Sequence, residues 1–209
     1  MRVIFLDIDG VLNADCDYGG RSYPNPYIML NNGNKYCGIC KTHVRYLKEI
    51  VDKTDAKIVL TSSWKEDYIE YLEFGYLNRV GKYLHNKLRE FNLEIYDTTI
   101  RYDLSGGINR GYEIKSWLDD HPEVDDWVVL DDVKFDDYDF LGITPHLILI
   151  DDKYGLWKLP AVQAIYKLTG EKDPWLISHE KFAKICNELV SSVIPELEEG
   201  ELTIIKPEV

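Results

Sequence analysis

The sequence predicts an α/β domain: a doubly wound, Rossmann-like parallel sheet of about five strands, helices on both faces, and a small flap rather than a large cap. Three observations carry this. Five short runs rich in Val, Ile and Leu lack apolar–polar alternation, as strands covered on both faces do. Amphipathic stretches separate the runs, and strands alternating with helices close as parallel strands joined by right-handed crossovers. Each run also ends in a polar cluster, and in such folds ligands bind at the carboxyl ends of the strands.

The first run, Arg2–Leu6, leads straight into Asp7-Ile8-Asp9-Gly10. Asn13–Lys41 then departs from the pattern. Rich in Gly, Asn, Tyr and Pro, it reads as a flap, because so long a connection in a compact domain is usually functional or disordered. Its Tyr18, Tyr23, Tyr27 and Tyr36, with Arg21 and Lys35, could stack on and pair with a nucleotide, although a packed lid is the preferred account. His43–Lys53 has helical periodicity. Lys57–Leu60 is the second strand and ends in Thr61-Ser62-Ser63. Glu66–Phe74 and Val80–Phe91 read as helices before the third strand, Leu93–Tyr96. Gly111–Asp120 is the next helix. Trp127–Leu130 is the fourth strand, ending in Asp131-Asp132, and Leu147–Ile150 is the fifth, ending in Asp151-Asp152. After Gly170 one helix is expected, Ser178–Ser191, capped by Ser178 with Glu180 and Lys181 in its first turn. The expected organisation is a core over 1–170 with the flap inserted at about 13–41, then a helix and tail over 171–209 packed on that core.

Composition narrows the function classes. The chain has 209 residues, 45% of them hydrophobic, which suffices for one sizeable core. Its formal net charge is -13, and much of that sits between Asp119 and Asp152, where eleven aspartates and Glu123 face a single base, Lys134. Such a surface attracts neither a long nucleic acid nor an anionic membrane. A small phosphorylated substrate held by local cations and a metal is compatible with it. No run approaches the roughly 18 apolar residues of a spanning helix, and acids follow the sixth residue, against a signal peptide. Four cysteines make no disulfide framework, so a cytoplasmic protein with reduced thiols is expected. Cys37 and Cys40 with His43 have ligand spacing, and Cys16 could complete a zinc site. Only one such pair is present, so ordinary thiols are the expectation.

The strand ends carry the chemistry. Residues i and i+2 of an extended chain face the same way, so Asp7 and Asp9 could share one site. Close carboxylates repel, and without a cation between them one takes up a proton. The pair is therefore a metal site or a nucleophile with its acid. Thr61, Ser62 and Ser63 are hydroxyl donors suited to phosphate oxygens, and Lys65 could place a cation beside them. Asp131 and Asp132 add the hard oxygen ligands that Mg²⁺ prefers. Arg110 reads as a helix-start residue or a substrate contact. Asp136, Asp137 and Asp139 fit turn residues better than ligands, and Asp151-Asp152 fits a turn into Tyr154-Gly155 at least as well as a catalytic role.

FLDIDGVLN resembles the first motif of the haloacid dehalogenase (HAD) superfamily, an apolar strand followed by Asp-x-Asp-Gly. IVLT, ending at Thr61, is similar to the second motif. The helix from Arg110 to Lys115 resembles the third, and VVLDD the fourth. Thr-Ser-Ser-Trp-Lys, Arg-Gly-x-Glu-Ile and Trp-Val-Val-Leu-Asp-Asp look like one branch, the compact HAD phosphatase domains associated with RNA-repair enzymes. This resemblance covers roughly residues 1–155. It implies a Mg²⁺-dependent phosphatase with an aspartyl-phosphate intermediate. Asp7 would be the nucleophile and Asp9 the general acid, then base. Thr61 and Lys115 would hold the transferring phosphoryl oxygens, with Lys115 offsetting the charge of Asp7. Ser62, Lys65 and Arg110 would contact substrate. Asp131 would bind Mg²⁺ with Asp7 and the main-chain carbonyl of Asp9, supported by Asp132.

The implied substrate is a small phosphomonoester such as a nucleotide or an oligonucleotide end. The alternatives are a receiver-like signalling domain, whose phosphoacceptor follows the third strand near Asp97-Thr98-Thr99, or an inactive binding module on the same scaffold.

Overall fold

The computed structural model describes residues 1–14, 17–18, 21–22, 27–29, 35–75, 78–100, 109–175, 177–178, 181 and 183–184. Met1–Glu171 and Lys172–Val209 form two compact units. The first opens with β1 (Arg2–Leu6). Two antiparallel pairs follow, β2 (Asp17–Tyr18) with β3 (Arg21–Ser22) and β4 (Tyr27–Met29) with β5 (Lys35–Cys37), so the flap is built at least in part from short hairpins. Then come α1 (Lys41–Thr54), β6 (Lys57–Leu60), α2 (Lys65–Phe74), α3 (Arg79–Arg89) and β7 (Ile95–Thr98). The unit ends with α4 (Arg110–Asp120), β8 (Asp126–Asp131), a 3-10 turn over Thr144–His146, β9 (Leu147–Leu149) and α5 (Lys158–Thr169).

β1, β6, β7, β8 and β9 make one sheet in the order β7-β6-β1-β8-β9, with every neighbouring pair parallel. The expected doubly wound Rossmann-like sheet is therefore present. The apolar runs lack alternation because both faces are covered. Ile4, Leu6, Ile58, Leu60, Val128 and Leu130 pack on one side with Val44, Leu47 and Ile50 of α1, Leu84 and Leu88 of α3, and Ala161 and Ile165 of α5. Val3, Phe5, Val59 and Val129 pack on the other with Ile114 and Trp117 of α4. Phe5 meets the Trp117 and Trp127 rings edge-on, with centroids 5.4 and 5.8 Å away. Burying one such aromatic side chain stabilises the fold by about 1.5–3 kcal/mol. Among the described residues no helix is long and apolar enough to cross a membrane.

Most element boundaries differ from the sequence reading by one or two residues, and two of the shifts have a visible local cause. The third strand begins at Ile95, two residues later than predicted. Leu93 instead closes α3: Asn92 takes a left-handed φ of 54°, and the Leu93 amide donates to the Leu88 carbonyl at 3.1 Å. Leu93 is buried all the same, which is why its apolar character read as strand. In the second unit the helix starts before Ser178. The Asp173 carboxylate accepts from the Trp175 amide at 2.8 Å, and Pro174 stands at the first helical position. Ser178 lies inside that helix, its hydroxyl donating to the Pro174 carbonyl at 2.9 Å.

Candidate active site

The parallel ladder runs one residue past the ends of four strands, β9 included, where the Ile150 amide donates to the Asp131 carbonyl at 2.9 Å. The Asp7 amide donates to the Leu130 carbonyl at 2.9 Å, the Thr61 amide to Leu6 at 3.0 Å and the Thr99 amide to Leu60 at 3.0 Å. Asp131 is the last residue of β8. Thr99, Thr61, Asp7 and Asp131 therefore stand in one row across the carboxyl edge of β7, β6, β1 and β8, and all four are buried. This is the edge at which a doubly wound sheet binds its ligand.

The right half of the row is acidic. Ligand oxygens of Asp7, Asp131 and Asp132 lie within 4.8 Å of one another. Burial pushes the Asp131 carboxyl up to about 7, and the charge of Asp7 adds to the effect. Burial and then Asp7 likewise push Asp132 up to about 6. Asp7 is raised by burial as well, against the pull of Arg110 and a hydrogen bond from the Ser62 hydroxyl. The Arg110 guanidinium, on the first residue of α4, donates to Asp7 Oδ1 at 3.0 Å and to Asp131 Oδ2 at 3.4 Å. Its other face lies over the Phe135 ring, 5.1 Å from the centroid.

The left half is a buried cation network. Lys65, the first residue of α2, donates to Glu113 Oε2 at 2.5 Å and to Thr99 Oγ1 at 3.2 Å. The Thr99 hydroxyl in turn donates to Thr61 Oγ1 at 3.3 Å. Burial lowers the Lys65 pKa, while Glu113 opposes that shift. Glu113 Oε2 is also 4.0 Å from Arg110 Nε, so one carboxylate stands between the two site cations.

Asp9 lies in the turn after β1, where three successive amides, of Val11, Leu12 and Asn13, converge on the Ile8 carbonyl. Gly10 takes a φ of +67°, and a Cβ there would stand 2.1 Å from Asp132 Oδ2. Only glycine lets the turn pass so close to the acid cluster. The Asp9 carboxylate is exposed yet held: it accepts from Asn13 Nδ2 at 2.6 Å, and Trp64 Nε1 is 3.1 Å from both of its oxygens.

Of the residues expected from sequence, Asp7, Asp131, Asp132 and Arg110 come together, as do Thr61 and Lys65. Ser62 reaches Asp7, and Asp9 lies in the turn that follows Asp7. Lys115 does not reach the site. It is half exposed and pairs with Asp119 at 3.6 Å. Five residues of helix turn it about 140° from Arg110, at about 100° per residue. The cation against Asp7 is thus Arg110. Asp137 caps α4: its Oδ2 accepts from the Gly111 amide at 2.8 Å and the Tyr112 amide at 3.2 Å, which anchors the turn carrying Arg110. A Cβ on Gly111 would stand 2.7 Å from the Asp137 carboxyl carbon.

Asp136 is exposed, Asp139 bonds Lys134 and Thr144, and Asp151 accepts from the Lys153 amide in a turn. Asp152 acts on the site only through its charge on Asp132. His43 is built into the core, Nδ1 at 2.7 Å from the Leu156 carbonyl, and a Cβ on Gly155 would stand 2.6 Å from Nε2. The ring therefore meets the Leu156 carbonyl on one nitrogen and Gly155 beside the other. Cys16, Tyr23 and the side chains of Tyr18, Arg21, Tyr27, Lys35, Tyr36 and Cys37 lie outside the described residues. Thr99, Glu113 and the Trp64 indole are site components that the sequence reading did not pick out.

A family model described as the HAD domain in Swiss Army Knife RNA repair proteins matches residues 3–159. No curated protein and no solved structure matches the chain. The resemblance of the motifs to compact RNA-repair-associated HAD domains is borne out by that match.

Proposed function

Because the chain belongs to the family of HAD domains in Swiss Army Knife RNA repair proteins, a membership that supports a HAD-type phosphatase, we propose that it hydrolyses a phosphomonoester through an aspartyl-phosphate on Asp7, with Mg²⁺. The observation that carries this is the row Thr61–Asp7–Asp131 at the sheet edge with the Arg110 guanidinium 3.0 Å from Asp7.

The donor set fits a hard divalent cation. Ligand oxygens of three carboxylates lie within 4.8 Å of one another, and burial raises the pKa of each, helped at Asp131 and Asp132 by the charge of Asp7 and at Asp7 by that of Asp9. Asp7, Asp131 and Asp132 would hold the ion, with the main-chain carbonyl of Asp9 as a further ligand. When bound, Mg²⁺ neutralises phosphate charge so that an anionic nucleophile can approach. The remaining steps belong to this chain. A carboxylate oxygen of Asp7 attacks phosphorus as the bond to the leaving oxygen breaks, and Asp9 gives that oxygen its proton. A water then attacks phosphorus and returns a proton to Asp9, and the bond to Asp7 breaks to release inorganic phosphate. Arg110 favours the ionised form of Asp7 against the opposing effect of burial. Thr61, Ser62 and Lys65, clustered at the start of α2, supply donors for the phosphoryl oxygens.

The substrate class favoured is a nucleotide or a nucleic-acid end, in keeping with the family's description. The receiver-like alternative loses support from the place of Asp97. Its carboxylate accepts from Trp117 Nε1 at 2.7 Å, on the α4 side and outside the acid cluster. The test is a phosphatase screen with Mg²⁺ across nucleotides, sugar phosphates and 3′- or 5′-phosphorylated oligonucleotides, with Asp7→Asn as the blank. Mg²⁺-dependent phosphate release by the wild type alone supports the proposal. Equal release by Asp7→Asn refutes it.

A further inference from the structure

We infer that Trp64 is a positioning residue for the acid–base step, holding the Asp9 carboxylate through its indole N–H. This inference rests on the proposed function, in which Asp9 protonates the leaving oxygen. The ring is buried at 2% exposure, while Asp9, whose carboxylate it meets, is an exposed residue. The indole is therefore fixed by packing and the group it holds remains reachable by substrate. Trp64 Nε1 lies 3.1 Å from both Asp9 oxygens, so one N–H is shared between them and fixes the distance of the carboxyl group from the ring. Asn13 Nδ2 adds a second donor at 2.6 Å, and Asn13 Oδ1 accepts from the Gly10 amide at 2.9 Å. Asp9 is thus held from its own turn and from the segment Thr61–Lys65. That segment, with Thr61, Ser62, Trp64 and Lys65 all buried, also presents the phosphoryl donors, so one stretch of chain sets them and the acid in a common frame. A side chain already gripped in the working orientation loses little freedom at the transition state.

A packing role alone predicts something different, and the leaving group separates the two. In the first step a 4-nitrophenolate departs without a proton, whereas the alkoxide of a nucleoside 5′-monophosphate needs the one on Asp9. The value of kcat/KM reports this step, because it ends when the leaving group departs. Trp64→Phe keeps an aromatic ring and removes the N–H. We expect its kcat/KM for the nucleotide to fall roughly 10- to 100-fold, the loss of one hydrogen bond to a charged group, while that for 4-nitrophenyl phosphate falls less than about threefold. The ratio of the two substrates in one preparation is independent of how much protein is folded. In an Asp9→Asn background, Trp64→Phe is expected to leave that ratio unchanged. Equal losses on both substrates, or a further change of ratio without Asp9, would overturn the inference. Should Asp9→Asn itself fail to discriminate the two leaving groups, the acid–base reading of Asp9 falls, a result distinct from failure of Trp64 alone.

Discussion

Arg110 Nη1 lies 3.0 Å from Asp7 Oδ1, the contact that joins the start of α4 to the end of β1. Both groups are buried, and the same nitrogen reaches Asp131 Oδ2 at 3.4 Å. Burial disfavours the charged form of Arg110, yet Asp7 and Asp131 hold its pKa above the usual value. The guanidinium is therefore a fixed positive charge between Asp7 and Asp131, the place the proposed nucleophile requires one.

Arg110→Lys is expected to lower kcat/KM by about 100-fold or more, because an ammonium cannot reproduce the guanidinium's reach to two carboxylates. Lys115→Ala is expected to change activity little and stability by less than about 1 kcal/mol, since its pair with Asp119 is solvent-exposed. Steady-state kinetics and melting temperatures of the two variants check this. A severe loss in Lys115→Ala would return the third-motif role to that lysine.

The contrast shows what the chain reveals locally. β1 and β6 were legible because Arg2–Leu6 and Lys57–Leu60 are apolar runs that end abruptly in Asp7 and Thr61. Lys115 misled because a motif names residue types, whereas helical phase decides which of Arg110, Glu113 and Lys115 faces the sheet edge. Thr99 was hidden by the third strand's register, which moved two residues when Asn92 closed α3. Asp137 reads as a turn residue in any window of sequence. Its partners are the amides of Gly111 and Tyr112, about 25 positions upstream, and only the fold brings them together.

The acid cluster is expected to make stability depend on pH and on divalent cation. An unfolded Asp titrates near about 3.9, while folding pushes Asp131 up to about 7 and Asp132 up to about 6. A raised carboxyl pKa contributes stability that is fully present below about pH 4 and is lost as pH rises through the folded values. Without divalent cation, the melting temperature of the wild type relative to Asp131→Asn should therefore decline from pH 5 to pH 8. Mg²⁺ should stabilise the wild type more at pH 8 than at pH 5. Thermal melts with Mg²⁺ or a chelator measure both, and a Mg²⁺ effect independent of pH would contradict the assignment.

The Lys65–Glu113 pair is buried on both sides, so breaking it from one side should cost more than removing it. Glu113→Gln leaves a buried ammonium without its counter-ion and is expected to destabilise by about 3–5 kcal/mol. The double variant Lys65→Met, Glu113→Leu should melt closer to wild type, although it loses a donor for the phosphoryl group and with it activity. Denaturant unfolding of the single and double variants decides the point. A double variant less stable than Glu113→Gln would show the pair to be net stabilising.

The central claim is that Asp7 carries the phosphoryl group. The most direct measurement is mass spectrometry of the protein acid-quenched during turnover of a phosphomonoester with Mg²⁺. The account predicts one added phosphoryl group on the peptide containing Asp7, lost on further incubation without substrate and absent from Asp7→Asn. Phosphate release without any such adduct, or an adduct on another residue with turnover retained in Asp7→Asn, would contradict it.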